Sequence, residues 1–176
     1  YDRDTSEFHF KPGPIFHNVV VADEINRTTP RTQSAMLEAM SENVVSIDGV
    51  TRSLPEPFIV VATQNPYEFE GTYFLPEHQL DRFLMRIALG YPAPPDEYRV
   101  LEQQPARTVL DSLQPVIDID DVLRLQKQTD DVRIDRTLLN YIISLATATR
   151  SHDDLQVGLS PRGSLALSQS AKATAV

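Results

Sequence analysis

The sequence contains no cysteine. It can form no disulfide and offers no thiolate for zinc, which fits a reducing compartment. No apolar run approaches the roughly 20 residues that a membrane span needs. The longest, at 19–22 and 58–62, have the length of buried strands. Basic residues are scarce: 16 Lys and Arg against 25 Asp and Glu leave a net charge of −9 at pH 7. That balance counts against a broad surface for nucleic-acid phosphates. Glycine is sparse as well. Its six copies, at 13, 49, 71, 90, 158 and 163, never cluster, so no Gly-x-x-x-x-Gly-Lys-Ser/Thr loop can cradle a phosphate. The chain has no Gly-x-Ser-x-Gly elbow and no catalytic thiol. His9, His17, His78 and His152 lack metal-ligand spacing and read as surface or structural residues. No basic stretch followed by an apolar one marks a signal peptide. The chain opens at Tyr1 and stops in a helix-forming run, 171–176, with no stop signal, so both ends read as cut. Its length suits one core, or one core with a small satellite domain.

What is present alternates strand and helix signals. Residues 7–11 alternate in polarity and end at Pro12-Gly13-Pro14, as a hairpin arm would before a turn. Residues 18–23 form a β-branched run ending in two carboxylates, the pattern of a strand buried on both faces. Thr29-Pro30 supplies an N-cap and a proline at the first helical position. Ala35, Met36, Ala39 and Met40 then recur on one helical face. Asp48-Gly49, set between two alternating runs, predicts a type I′ hairpin because both residues tolerate positive φ. Residues 58–63 predict a second buried strand and 85–89 a third. Strands alternating with helices imply a parallel α/β sheet. Tyr91-Pro92-Ala93-Pro94-Pro95 marks the domain boundary. Beyond it the pattern is helical. Val122, Leu123 and Leu125 share one helix, Leu138, Leu139, Ile142, Ile143 and Leu145 share another, and Ser160-Pro161 opens a third.

Five residues stand where chemistry could be done. Asp23 and Glu24 close an apolar strand, at the sheet edge where open α/β folds bind ligands. One carboxylate can hold Mg²⁺ through water while the next activates an attacking water. The same pair also fits a helix start, where acids favour the dipole. Asn65 ends the second strand, and a neutral amide there can bond a phosphate or a water without adding charge. Asparagine before proline is equally a turn residue. Arg82 carries a planar guanidinium suited to phosphate, or to a plain surface ion pair with Asp81 or Glu77. Arg162 lies in the first turn of a helix, where a cation opposes the dipole by about 0.3–1 kcal/mol. Such a residue suits an anion partner, although helices also tolerate one. Arg3, Lys11 and Arg52, on or beside the hairpin arms, read as a solvated face.

Order and spacing say more than any single residue. Val19-Val20-Val21-Ala22-Asp23-Glu24-Ile25-Asn26-Arg27 resembles the Walker B segment of MoxR-type ATPases, in the helix-insert group of AAA+ proteins. Gln33-Ser34-Ala35-Met36-Leu37-Glu38-Ala39-Met40 matches the family's next pattern. Ala62-Thr63-Gln64-Asn65-Pro66 is similar to its sensor 1 strand, and Leu75-Pro76-Glu77-His78-Gln79-Leu80-Asp81-Arg82-Phe83 to its arginine-finger segment. Leu159-Ser160-Pro161-Arg162-Gly163 resembles sensor 2. The resemblance runs along essentially the whole chain.

The resemblance implies an α/β fold: a partial P-loop NTPase (AAA+) parallel-sheet core over 1–92 and a C-terminal all-helical lid over 93–176, truncated at both ends. It implies ATP and Mg²⁺ as cofactors. Asp23 would organise the metal, mainly through water, and Glu24 would polarise the hydrolytic water. Asn65 would sense the γ-phosphate, Arg82 would reach a neighbouring subunit's ATP, and Arg162 would contact phosphate from the lid. The hairpin at Asp48-Gly49 would be the pre-sensor 1 insertion, and 7–11 half of the helix 2 insertion. A cytoplasmic hexamer is implied, acting on protein clients, with von Willebrand factor A proteins among its partners and neither nucleic acid nor membrane insertion. In the family the phosphate loop and its strand precede the segment that starts at Tyr1, with that strand lying between sensor 1 and the 85–89 strand. The chain by itself is therefore expected to be inactive.

Three other readings stand beside the ATPase. A non-catalytic ring or scaffold module would keep the architecture without hydrolysis. A magnesium-chelatase-like subunit belongs to the same wider group. A nucleic-acid motor shares the Asp-Glu pair, but the acidic balance and lack of a basic stripe count against it.

Overall fold

The computed structural model describes residues 10–65, 71–103 and 112–176. The chain divides into two compact units, Tyr1–Arg82 and Phe83–Val176.

In the first unit, β1 (Val19–Ala22) pairs in parallel with β4 (Ile59–Ala62). The register is one to one, from Val19 opposite Ile59 to Ala22 opposite Ala62. Parallel neighbours need a long crossover, and α1 (Pro30–Glu42) with the hairpin β2 (Val44–Ile47) and β3 (Val50–Ser53) provides it. Helix α1 begins as its sequence predicts: Pro30 occupies the first turn and Thr29 Oγ1 accepts from the Thr32 N–H at 3.3 Å. It stops where Asn43 turns left-handed (φ 53°) and its N–H returns to Ala39 O. The hairpin turns at Asp48 (φ 52°) and Gly49 (φ 75°), the double positive φ of a type I′ turn. Leu54 N–H then bonds Asn43 O at 2.8 Å, closing the hairpin against the end of α1.

Among the described residues of this unit the buried apolar ones are Val20, Ile25, Leu37, Ala39, Leu54 and Leu75. The α1 face differs in detail from its sequence pattern. Ala35 is exposed, Met36 and Met40 are half-buried, and the polar Gln33 is buried with Leu37 and Ala39. The β1–β4 sheet is buried on one face only. Val20 is 9% exposed, whereas Val19, Val21, Ile59 and Val61 are 60%, 65%, 46% and 47% exposed. Among the described residues nothing covers that second face, so the expectation of two-sided burial is not met. Arg52, expected on a solvated face, is half-buried, with its guanidinium 3.8 Å from the centroid of the Phe10 ring. Phe10 in turn meets Phe16 edge to face at 5.5 Å. The 7–11 arm falls largely on residues outside those described; Phe10 and Lys11 themselves are in no strand. A short helix, α2 (Glu77–Leu80), leads to the end of the unit.

The second unit contains α3 (Pro94–Gln103), α4 (Ile119–Asp131), α5 (Arg136–Arg150) and α6 (Pro161–Thr174). Side-chain caps set three of their starts. Asp118 and Asp121 form a reciprocal capping box on α4. Asp135 Oδ1 accepts from Thr137 N–H at 2.7 Å on α5, and Ser160 Oγ from Gly163 N–H at 2.9 Å on α6. Helix α6 packs against both α4 and α5, and Lys172 Nζ donates to Asp130 O at 2.9 Å. Residues 85–89 form no strand. A strand exists only through pairing, and no described backbone pairs with this segment; Met85, Ile87 and Leu89 are exposed. No helix among the described residues is long and apolar enough to cross a membrane.

Candidate active site

Because β1 and β4 run parallel and in register, Asp23 and Glu24 leave the sheet at the same edge as residues 63–65. Thr63 joins the two strand ends. Its N–H donates to Ala22 O at 3.1 Å and its carbonyl accepts from Ile25 N–H at 3.0 Å. Its hydroxyl accepts from Glu24 N–H at 2.8 Å and donates to Asp23 Oδ1 at 2.6 Å.

Glu24 sits in the left-handed region (φ 49°, ψ 51°), a conformation that costs a non-glycine residue about 1–3 kcal/mol. The reversal starts the 3-10 turn Ile25–Arg27. Glu24 Oε2 also accepts from Arg27 Nη1 at 3.2 Å. Both partners are well exposed, so this pair adds little stability.

Beneath this corner lie two buried amides, Asn26 (1% exposed) and Gln33 (2%). Asn26 Nδ2 donates to Asn65 O at 3.2 Å, and Asn26 Oδ1 accepts from Asn65 N–H at 3.4 Å. Asn26 O also accepts from Tyr73 N–H at 2.6 Å. Gln33 Nε2 faces three carbonyls: Ile25 at 3.2 Å, Thr28 at 3.3 Å and Tyr73 at 2.9 Å. Its two hydrogens must be shared among them. The sequence reading did not single out either residue as part of the site. A signal existed for Gln33, a polar side chain one helical turn before Met36 and Leu37 on the same stripe.

The structure thus brings Asp23, Glu24 and Asn65 to one edge and adds Thr63 and Asn26 as their supports. Arg82 lies in the same unit, in the turn after α2. Its Nη1 donates to Ser41 Oγ at 3.1 Å, near the end of α1. Arg162 belongs to the second unit, exposed in the first turn of α6. The chain before it folds back on α5: Arg150 Nε donates to Leu159 O at 2.7 Å, and Leu159 N–H to Thr149 Oγ1 at 3.0 Å. Gly158 lies so close to this helix end that an added Cβ would stand 2.5 Å from Arg150 Cα.

Comparison with known proteins gives this geometry a family. Residues 1–85 match the model of the ATPase family associated with various cellular activities (AAA). The YeaC protein of Bacillus subtilis is 50% identical over the whole chain, which covers 55% of that protein. Chaperone MoxR1 of Mycobacterium tuberculosis is 38% identical, again over the whole chain, which covers 48% of it. A crystal structure of a protein assigned as an ATPase, from Cytophaga hutchinsonii, superposes with a TM-score of 0.88 at 38% identity. The match takes in 99% of this chain and 56% of that one. These matches make the chain similar, over its whole length, to a segment of the MoxR-type AAA+ ATPases.

The fold of this chain is accordingly AAA+, α/β with a parallel sheet. It spans about half the length of the curated relatives it matches. The family model covers the Asp23–Glu24 corner, the Thr63–Asn65 strand end and Arg82, while Arg162 lies beyond it.

Proposed function

We propose that the chain supplies part of the catalytic apparatus of a Mg²⁺-dependent ATP hydrolase whose turnover remodels or matures protein complexes. The observation that carries this reading is the strand-end corner. Thr63 binds both acidic residues there, and Asn65 is clamped beside them by Asn26.

The donor chemistry fits hydrated magnesium. Thr63 occupies one oxygen of the Asp23 carboxylate, leaving the other as a hard oxygen ligand. The described residues include no group of three carboxylate, imidazole or thiolate side chains that could hold a metal alone. When bound, magnesium supplies positive charge against the phosphate oxygens.

In this reading Asp23 orients the metal's water shell, and Glu24 holds and polarises the attacking water. Asn65 donates an amide hydrogen to the γ-phosphate. Arg82 acts on the ATP of the adjacent subunit in a hexameric ring, and Arg162 meets phosphate from the lid. Residues 1–92 serve as core and 93–176 as lid. Protein clients, von Willebrand factor A proteins among them, are the partners, and the cytoplasm is the place of action. The chaperone named among the relatives supports the client role.

The test is ATP turnover by this chain and by the longer polypeptide that carries a phosphate-binding loop upstream. The longer chain is expected to hydrolyse ATP and this one is not. Glu24→Gln in the longer chain should abolish turnover while sparing ATP binding; undiminished hydrolysis removes Glu24 from its role. If a folded, assembled longer chain neither binds nor hydrolyses ATP, the non-catalytic scaffold reading replaces this one.

A further inference from the structure

We infer that Thr63 is a positioning residue for the two acidic groups, acting through its hydroxyl; this rests on the ATPase reading above. Thr63 is bonded to four consecutive residues: Ala22 and Ile25 through its backbone, Asp23 and Glu24 through its side chain. The two kinds of bond do different work. The backbone pair ties the strand ends together just past β1 and β4, and any residue but proline at position 63 could make it. The hydroxyl pair depends on the side chain.

A hydroxyl has one hydrogen to give. Thr63 gives it to Asp23 Oδ1 at 2.6 Å, which selects one orientation of that carboxylate. The same oxygen accepts from Glu24 N–H at 2.8 Å, at a residue whose φ is +49°. That bond gives a fixed partner to the amide of a strained residue, and so holds the backbone from which the Glu24 side chain projects. One oxygen atom therefore meets both the carboxylate assigned to the metal's waters and the backbone that carries the one assigned to the attacking water. Thr63 touches neither nucleotide nor metal in this scheme. β-branching helps: threonine prefers strand geometry and few χ1 states, so the oxygen is delivered at little entropic cost.

Thr63→Val and Thr63→Ser separate the hydroxyl from the shape. Valine keeps the branch and loses both side-chain bonds, whereas serine keeps the bonds and loses a methyl. In the full-length protein we expect Thr63→Val to lower kcat by about 10–100-fold, the scale on which small misplacements of catalytic groups act. The Mg²⁺ concentration for half-maximal turnover should rise, while ATP affinity measured without Mg²⁺ stays unchanged. Thr63→Ser should restore both kinetic values to within about threefold. A second readout needs neither nucleotide nor metal. Hydrogen–deuterium exchange in a peptide spanning 22–27 should speed up in Thr63→Val and return to the wild-type rate in Thr63→Ser. If Thr63→Val fails to fold, Thr63→Ala against Thr63→Ser makes the same comparison.

A valine variant that matches wild type in kcat and Mg²⁺ dependence overturns the inference and leaves the ATPase reading standing. Equal impairment of the serine and valine variants also overturns it, because the hydroxyl would then not be what matters. A wild-type protein without Mg²⁺-dependent turnover overturns the ATPase reading, and the inference with it.

Discussion

Asn26 holds the peptide groups on both sides of the Asn65 α-carbon, its Nδ2 donating to Asn65 O at 3.2 Å and its Oδ1 accepting from Asn65 N–H at 3.4 Å. The residue assigned to sense phosphate is thereby fixed to the turn that carries Glu24, 39 positions earlier in the chain. Removing this buried amide should be costly in stability as well as in function. Asn26→Ala is expected to destabilise the protein by about 1–3 kcal/mol, the penalty for breaking a buried polar pairing. Urea unfolding of wild type and variant measures it. An unchanged midpoint would show that water replaces the amide at no cost.

The Arg82 guanidinium donates to Ser41 Oγ, and in the proposed function it acts on the ATP of the adjacent subunit. Arg82→Ala should abolish turnover in uniform assemblies. Mixing those subunits with Glu24→Gln subunits, which retain Arg82, should recover part of the activity, because each defect is then met by a neighbour. ATP hydrolysis across a range of mixing ratios gives the answer. No recovery in confirmed mixed assemblies rules out action across the interface. Ser41→Ala loses only an exposed bond and should cost less than about 1 kcal/mol in stability.

Gly158 admits no side chain. A Cβ would lie 2.5 Å from Arg150 Cα and 2.7 Å from Arg150 N, so backbone would have to move. Gly158→Ala should destabilise the second unit by about 1–3 kcal/mol, as overpacking does. It should also weaken ATP binding in the full-length protein, because Ser160 and Arg162 follow directly from this contact. Thermal unfolding and nucleotide titration on one sample test both effects. A variant with wild-type values would mean that the 151–160 segment adapts freely.

Acid should loosen the helix starts of the second unit. The Asp121 carboxyl is held below its ordinary range by the backbone N–H of Asp118, with Arg124 adding to the effect. Asp135 is lowered by the hydroxyl and N–H of Thr137. A depressed carboxylate stabilises the fold above its unfolded pKa, and that contribution is lost as pH falls through the depressed folded value. Between pH 6 and about 4 the caps should hold, and below about 4 the first turns of α4 and α5 should fray. Circular dichroism between pH 6 and 2.5 follows this, and Asp121→Asn should flatten the α4 component. Helicity that stays constant to pH 2.5 would contradict it.

The sequence made local chemistry legible and distant pairing less so. Thr29-Pro30, Asp48-Gly49 and Ser160-Pro161 carry their caps and turn in the residues themselves, and the structure places each as expected. The strands at 19–22 and 59–62 were readable from their β-branched runs. The 85–89 segment is also largely apolar and is no strand, because pairing is a property of two segments and composition belongs to one. Asp23, Glu24 and Asn65 could be picked from order and spacing. The supporting roles of Thr63 and Asn26 could not, since each is defined by bonds to residues 39 or 40 positions away. A threonine in a strand and an amide in a helix look ordinary until those partners are known.

The two buried amides also decide where the chain can tolerate change. Asn65 and Tyr73 stand at either end of residues 66–72, and both rest on Asn26, with Gln33 bonding Tyr73 as well. The end of β4 and the approach to α2 thus share two neighbouring buried amides as anchors, so a substitution at Asn26 or Gln33 should be tolerated less well than one on the exposed faces around them.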